Sequence, residues 1–351
     1  MPVSVVVGGQ FGSEGKGKVA LEIARKASAD YVVRVGGTNS GHTGCDDQGN
    51  IRALRQLPAS AMAKGTTAII PAGSLVDVDI LTHEIEILQL DHSQVMIDPR
   101  AWVISDEDKR AETDLVSRIG STGSGTGAAL IRRIQRQEAS SLAQNCKRLL
   151  PFLHDTSSIM RRALNQNKRI VIEGTQGFGL SLLHSSFYPK TTSRDTTAAS
   201  FIGEAGLSPR DVDDVTLVIR AHPIRVAGDS GPLDEEISWG EIAKNSGLPG
   251  DYCELTTATK KVRRVGKFNA ALVKQAIEVN NPSRLVLNHF DYVDRGVRQH
   301  RFNEASIAFL TQIEHSIERR IDWVGTGPTR FVDRALVGAS TNLSVKMNRP
   351  A

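Results

Sequence analysis

The run Gly8-Gly9-Gln10-Phe11-Gly12-Ser13-Glu14-Gly15-Lys16-Gly17-Lys18 follows an apolar stretch, Val3 to Val7, and leads into a helix-like segment. A strand that turns through glycines into a helix commits the start of the chain to a sheet covered by helices. The same turn lets backbone N–H groups approach an anion, and the helix terminus adds partial positive charge. Lys16 and Lys18 supply full charges beside it. The run is not a Walker A loop: five residues rather than four separate Gly9 from Gly15, and Gly17 stands where a magnesium-binding Ser or Thr belongs. It also lacks the spacing of a dinucleotide fingerprint. A turn kept only for tight strand-to-helix packing is the plain alternative, and two lysines so close to the glycines weigh against it.

Further β-branched runs occur at Tyr31 to Val35, Ala68 to Ile70, Arg169 to Ile172, Val215 to Ile219 and Arg284 to Leu287. Helical patterns separate several of them, which predicts an α/β fold with a mostly parallel central sheet. Apolar residues at three- and four-residue spacing predict covering helices over Asp79 to Leu90 and Asn269 to Val279, and a long helix over Glu138 to Leu149. No internal repeat or convincing linker divides the 351 residues, so one large domain over 1–337 is expected, with a polar tail over 338–351.

The chain has 40% hydrophobic and 23% charged residues and no apolar run long enough for a bilayer, which excludes a membrane protein of the helical kind. The N-terminus lacks a secretory layout, so a cytoplasmic location is expected. Cys45, Cys146 and Cys253 are widely spaced and odd in number, which favours reduced packing thiols over disulfides or a metal centre. Net charge is +4, but aromatic residues make up only 5% and none interleave with the basic clusters. Nucleic-acid binding therefore ranks below phosphate-bearing small substrates.

A second glycine- and hydroxyl-rich run, Gly120-Ser121-Thr122-Gly123-Ser124-Gly125-Thr126-Gly127, precedes Arg132, Arg133 and Arg136. It reads equally as a flexible linker or as a phosphate loop served by arginine forks. Lys260, Lys261, Arg263 and Arg264 follow Thr256-Thr257-Ala258-Thr259, either a solvated face or an anion-binding loop.

Taken in order, these motifs resemble the adenylosuccinate synthetase family, whose members join L-aspartate to C6 of a purine nucleotide. The family's G-x-Q-W-G-D-E-G-K-G-K corresponds to Gly8 to Lys18, and its G-H-N-A-G-H-T to Gly37-Thr38-Asn39-Ser40-Gly41-His42-Thr43. Its G-T-T-G-x-G-x-G corresponds to Gly120 to Gly127, E-G-A-Q-G to Glu173-Gly174-Thr175-Gln176-Gly177, and Y-P-x-x-T-S to Tyr188 to Ser193. The basic aspartate loop is Thr257 to Arg264, and S-T-G-P is Gly325-Thr326-Gly327-Pro328. Coverage is nearly the whole chain, and its short length is similar to the compact archaeal and phage branch.

The resemblance implies two steps. The purine O6 attacks the γ-phosphoryl group as N1 loses its proton, and the aspartate amine then displaces phosphate from C6. It places the triphosphate against Gly12, Ser13, Glu14, Gly15, Lys16, Gly17, Lys18, Gly41, His42 and Thr43, with Arg263, Asn288, Asp291, Gly325 and Gly327. Lys16 and His42 are the implied catalytic groups beside Ser13, with His42 as general acid, and Mg²⁺ falls to the Gly41 carbonyl and Ser13. The monophosphate nucleotide falls to Ser13, Asn39, Ser121, Thr122, Gln176, Leu180, Thr192 and Val226, with Arg136 reaching in from the partner of a homodimer; Arg132 and Arg133 are alternatives. Aspartate falls to Thr257, Thr259, Lys261 and Arg263.

Three departures from the family bear on the substrates. Ser13 replaces the aspartate that serves as base; a hydroxyl is a poor base, but it is smaller and can accept a hydrogen bond from a 2-amino group. That resembles the phage branch that aminates dGMP toward 2-aminoadenine DNA. Lys261 replaces an arginine near the ribose and aspartate, losing the fork. The guanine-reading T-K-x-D is Asn288-His289-Phe290-Asp291, with His289 in place of lysine, which opens ATP or dATP as donor beside GTP. The expected reaction is therefore aspartate with dGMP, using ATP and Mg²⁺. Conventional synthesis from IMP and GTP and a silent nucleotide-binding protein are the alternatives.

Overall fold

The computed structural model describes residues 2–136, 139–256 and 260–337. The tail expected over 338–351 lies outside the described residues. Among these residues a nine-stranded sheet runs through the molecule. Its strands are β1 (Val3–Gly8), β2 (Tyr31–Arg34), β3 (Thr67–Ile70), β4 (Val95–Ile97), β5 (Ile170–Glu173), β6 (Val212–Arg220), β7 (Arg284–Asn288), β8 (Trp323–Gly325) and β9 (Phe331–Asp333). The spatial order is β9-β8-β7-β6-β1-β5-β2-β3-β4, with every pairing parallel except β8 with β9. The α/β reading and its mostly parallel sheet stand.

The continuous valine run of β1 follows from burial on both faces. Val3, Val5 and Val7 pack into one apolar layer and Val6 into the other, all without solvent exposure. Helices Val78–Leu88 and Ala270–Asn280 form where the apolar spacing places them.

One predicted helix does not form. Within Glu138 to Leu149 the described residues make short 3-10 turns at Ala139–Ser141, Ala143–Asn145 and Lys147–Phe152. Leu142 and Cys146 adopt extended backbone between them, and Leu142 bridges Trp102. Pro151 closes the segment, while Ala143 and Leu149 still reach the core. Apolar spacing here reflects anchoring of a turn-rich connection, not a helical face.

β1 lies at the centre because the chain first steps outward through β2, β3 and β4, then returns to place β5 and β6 on its two sides. The crevice at the carboxyl ends of such strands is where open α/β sheets bind ligands. Gly8, Arg34, Glu173, Arg220, Asn288 and Gly325 end their strands there.

Candidate active site

The loop after β1 is held open by its backbone. Gly12, Ser13 and Gly15 all have left-handed φ values, of 85°, 57° and 86°. A Cβ on Gly15 would also meet the Asn288 amide nitrogen at 2.7 Å, so only glycine fits. The helix Lys16–Ala27 that follows has no side-chain cap, unlike Val78–Leu88, capped by Asp77, and Ala270–Asn280, capped by Asn269. Its first N–H groups are thus left to a ligand. Glu14 is fully buried behind the loop. Its Oε1 accepts from the Gln10 and Gly12 amides at 3.1 and 2.8 Å, and its Oε2 pairs with the Lys16 ammonium at 2.8 Å. Lys16 also donates to the Gln176 carbonyl.

Two cavities meet at Ser13, Lys16, Gly41, His42 and Arg263. One extends past Gly12, Asn39, Ser121, Thr122, Gln176, Leu180, Thr192 and Val226. The other extends past Gly15, Gly17, Lys18, Thr43, Asn288, Asp291 and Gly327. The glycine run at Gly120 therefore lines a cavity and is not a linker. Glu14 turns its carboxylate away from both cavities, and Gly325 lies behind Asn288 and the Lys18 ammonium. Lys261 and Arg136 are exposed and line neither cavity; Arg136 sits at φ 54° just past the helix Thr126–Ile134. Arg132 is held by Asp108 at 2.7 Å, and Arg133 by the carbonyls of Ala72 and Arg100. Thr257 and Thr259 lie outside the described residues.

At the junction, His42 Nδ1 lies 2.6 Å from Glu173 Oε1, and Arg34 Nη1 contacts both ring nitrogens, at 3.1 Å from Nε2; with its proton on Nδ1 the ring donates to Glu173 and Nε2 accepts from Arg34. Burial and the Arg34 charge push the His42 imidazole down to about 3, against the pull of Glu173. Burial alone would raise the Glu173 carboxyl, yet His42 and Arg34 hold it down at about 2. The imidazole is therefore neutral, and an arriving phosphate would draw a proton onto it.

Behind the wall that Ser13 and Glu254 give the second cavity, Arg220 is wholly buried. It donates to the Ser13 carbonyl at 3.0 Å and to Glu254 at 2.6 Å. Tyr292 donates to the same carboxylate at 2.9 Å, and His289 meets the Ser13 backbone. Burial and Arg220 push His289 down to about 3. Burial also pushes the Lys18 ammonium down to about 7, against Asp291 and Glu22. Asp291 is bonded by Arg298 Nε at 3.0 Å. Arg34, Glu173, Arg220, Glu254 and Arg298 were not assigned from sequence. Charged residues ending otherwise apolar strands, as in Val33-Arg34, Ile172-Glu173 and Ile219-Arg220, were the available signal.

The family profile described as adenylosuccinate synthetase matches residues 5–140 and 135–298. The chain belongs to the adenylosuccinate synthetase family. The adenylosuccinate synthetase of Thermococcus onnurineus is 36% identical over 93% of this chain and 96% of its own. That of Methanococcus aeolicus is 35% identical, covering 93% and 97%. Among solved structures, the fully ligated adenylosuccinate synthetase of Plasmodium falciparum superposes with a TM-score of 0.79 at 19% identity, covering 95% of this chain and 99% of that one. The succinoaminodeoxyadenylate synthetase (PurZ) of cyanophage S-2L, bound to dGMP and to dATP as an energy donor, gives 0.81 at 26% identity, covering 98% and 99%.

This synthetase is accordingly a carbon–nitrogen ligase driven by a nucleoside triphosphate. No described helix is long and apolar enough to cross a membrane. The family uses Mg²⁺. Among the described residues no group of three His, Cys, Asp or Glu side chains could hold an ion. The oxygens available at the junction, from Ser13 and Gly41, are neutral and hard, a set that suits Mg²⁺ carried in on phosphate oxygens.

Proposed function

We propose that this synthetase condenses L-aspartate with C6 of dGMP, using ATP or dATP with Mg²⁺, in a homodimer whose Arg136 completes the partner's monophosphate cavity. The observation that carries the choice of dGMP is Ser13. It lines both cavities while holding a left-handed φ of 57°. A non-glycine residue there costs about 1–2 kcal/mol, and Asp tolerates it better than Ser. A serine at a strained junction position argues for a use of its hydroxyl. Accepting a hydrogen bond from the 2-amino group of guanine is that use, in the space an aspartate would fill. The dGMP and dATP bound to the S-2L relative support the same substrates.

On this reading the dGMP base stacks between Gln176 and Leu180, and its 5′-phosphate lies on Thr122, Thr192 and the amides near Ser121. The triphosphate lies on the uncapped helix start and Lys16. O6 forms a bond to the γ-phosphorus as the N1 proton passes to water and the bond to the β-γ bridging oxygen breaks, and ADP or dADP departs. The aspartate amine, as the free base, then adds at C6, inorganic phosphate leaves, and the proton lost by the amine nitrogen goes with it. Mg²⁺, when bound, would be held by the oxygens of Ser13 and Gly41 and would neutralise charge on the phosphate oxygens. His42 takes up a proton at Nε2 as the phosphate charge arrives and Arg34 yields that nitrogen, and it then gives this proton to the transferring phosphoryl oxygens, with Glu173 holding the ring. Arg263, shared by both cavities, faces the aspartate carboxylates.

The archaeal relatives support a second reading, conventional adenylosuccinate synthesis from IMP and GTP. The test is phosphate release with Mg²⁺ and L-aspartate, crossing dGMP, GMP and IMP against ATP and GTP, with product mass determined. A succino-adduct from dGMP and little from IMP is expected, and Ser13→Asp should shift the preference toward IMP. Turnover of IMP alone would overturn the assignment, and no phosphate release in any pairing would leave only a nucleotide-binding protein.

A further inference from the structure

Asp291 is buried, with its side chain 7% exposed, in the turn Phe290–Tyr292 that directly follows β7. The next turn, Arg295–Gln299, is capped by Asp294, whose Oδ1 accepts from the Gly296 amide at 2.6 Å. That cap folds Arg298 back seven residues onto Asp291, where its Nε donates to Oδ2 at 3.0 Å. Both side chains line the donor cavity. We propose that Arg298, by occupying the Asp291 carboxylate, is the residue that turns the donor cavity away from guanine and toward adenine nucleotides. This rests on the reading above that an adenine nucleotide is the donor.

The argument is one of donors and acceptors. A carboxylate recognises guanine by accepting from its N1–H and N2–H groups together. With a guanidinium already on Asp291, those two donors meet N–H groups and a carboxylate short of an acceptor site. Guanine must then displace a charge-assisted hydrogen bond or leave its own donors unpaired, and a site rejects a ligand strongly when buried polar groups go unpaired. Adenine has no 2-amino group and carries an acceptor at N1, so it makes no such demand. His289, which tilts against Tyr292 with ring centroids 5.2 Å apart, lines the same cavity.

The test measures kcat/KM for ATP and for GTP, with the nucleotide acceptor held constant, in the unmodified enzyme, Arg298→Ala, Arg298→Met and Arg298→Met with Asp291→Asn. Arg298→Met keeps the apolar stem and serves if the alanine variant does not fold. The ratio of GTP to ATP use should rise at least about tenfold in the single variants, and Asp291→Asn should abolish that gain. An unchanged ratio in the single variants, or a gain that survives Asp291→Asn, overturns the role of Arg298. If the unmodified enzyme prefers GTP, the adenine-donor reading itself falls, and the role of Arg298 with it. If it prefers ATP and the ratio does not move, only the role of Arg298 falls.

Discussion

Glu14→Gln isolates one charge in the phosphate loop. The two amides it anchors, from Gln10 and Gly12, both donate to Oε1, while the Lys16 ammonium lies on Oε2. A glutamine whose oxygen keeps the amides must place its NH₂ against the ammonium. The amide bonds survive, and a salt bridge with side-chain exposures of 1% and 0% becomes a meeting of two donors. Breaking one partner of a buried pair costs about 3–5 kcal/mol, because the other charge stays buried. Lys16 keeps the Gln176 carbonyl, which places the expected loss toward the lower end, about 3 kcal/mol. Urea unfolding with and without Lys16→Met gives the cycle: Glu14→Gln alone should destabilise by that amount, and adding Lys16→Met should restore part of it. Saturating triphosphate should stabilise Glu14→Gln more than the unmodified protein, since phosphate gives the ammonium a new partner. A Glu14→Gln midpoint within about 0.5 kcal/mol of the unmodified protein would refute the pairing as a source of stability.

Acid should weaken the fold through the buried His42 and the half-buried His222 and His289, which desolvation holds down at about 3, 4 and 3. Their folded values lie below the unfolded value near 6.5, so the unfolded chain binds more protons and stability falls as pH drops from about 6.5 toward 3–4. At pH 5.5 His42 contributes a loss of about 1.4 kcal/mol and the two partly exposed rings less each, together measurable as a lower urea midpoint than at pH 7.5. A midpoint independent of pH over that interval would contradict the neutral assignment. Glu173→Gln removes the carboxylate that orients His42, and kcat should fall about 10²-fold with little change in KM. Equal loss in nucleotide binding would show a binding role instead.

The six central strands were legible because they are β-branched runs with helical patterns between several of them, whereas the three-residue outer strands β4, β8 and β9 are too short to give a period; the cavities were legible because glycine and hydroxyl runs mark where backbone meets phosphate. The segment after residue 138 misled because apolar spacing records contact with the core, whatever backbone delivers it; Leu142 makes its contact from an extended bridge. Arg34 and Glu173 were hidden because an isolated charge in a strand gives no periodic signal, and only the parallel pairing of β2 with β5 brings Arg34 opposite Glu173. The Arg298 contact depends on how two successive 3-10 turns fold back, which seven residues of sequence do not specify.

The return of β5 and β6 to the two sides of β1 also governs when the enzyme can exist. The junction joins Ser13 from the first turn of the chain to Arg263, and the donor wall adds Asn288 and Asp291 from beyond β7. No amino-terminal portion carries a working site. A ribosome must release more than half of the polypeptide before β1 acquires both of its neighbours, β5 and β6, and long-separation parallel pairing is slow to assemble. Nascent chains of this synthetase are therefore expected to wait, catalytically inert and with a valine-rich centre strand unsheltered, until the second half arrives; that interval is when such a protein has most need of a chaperone.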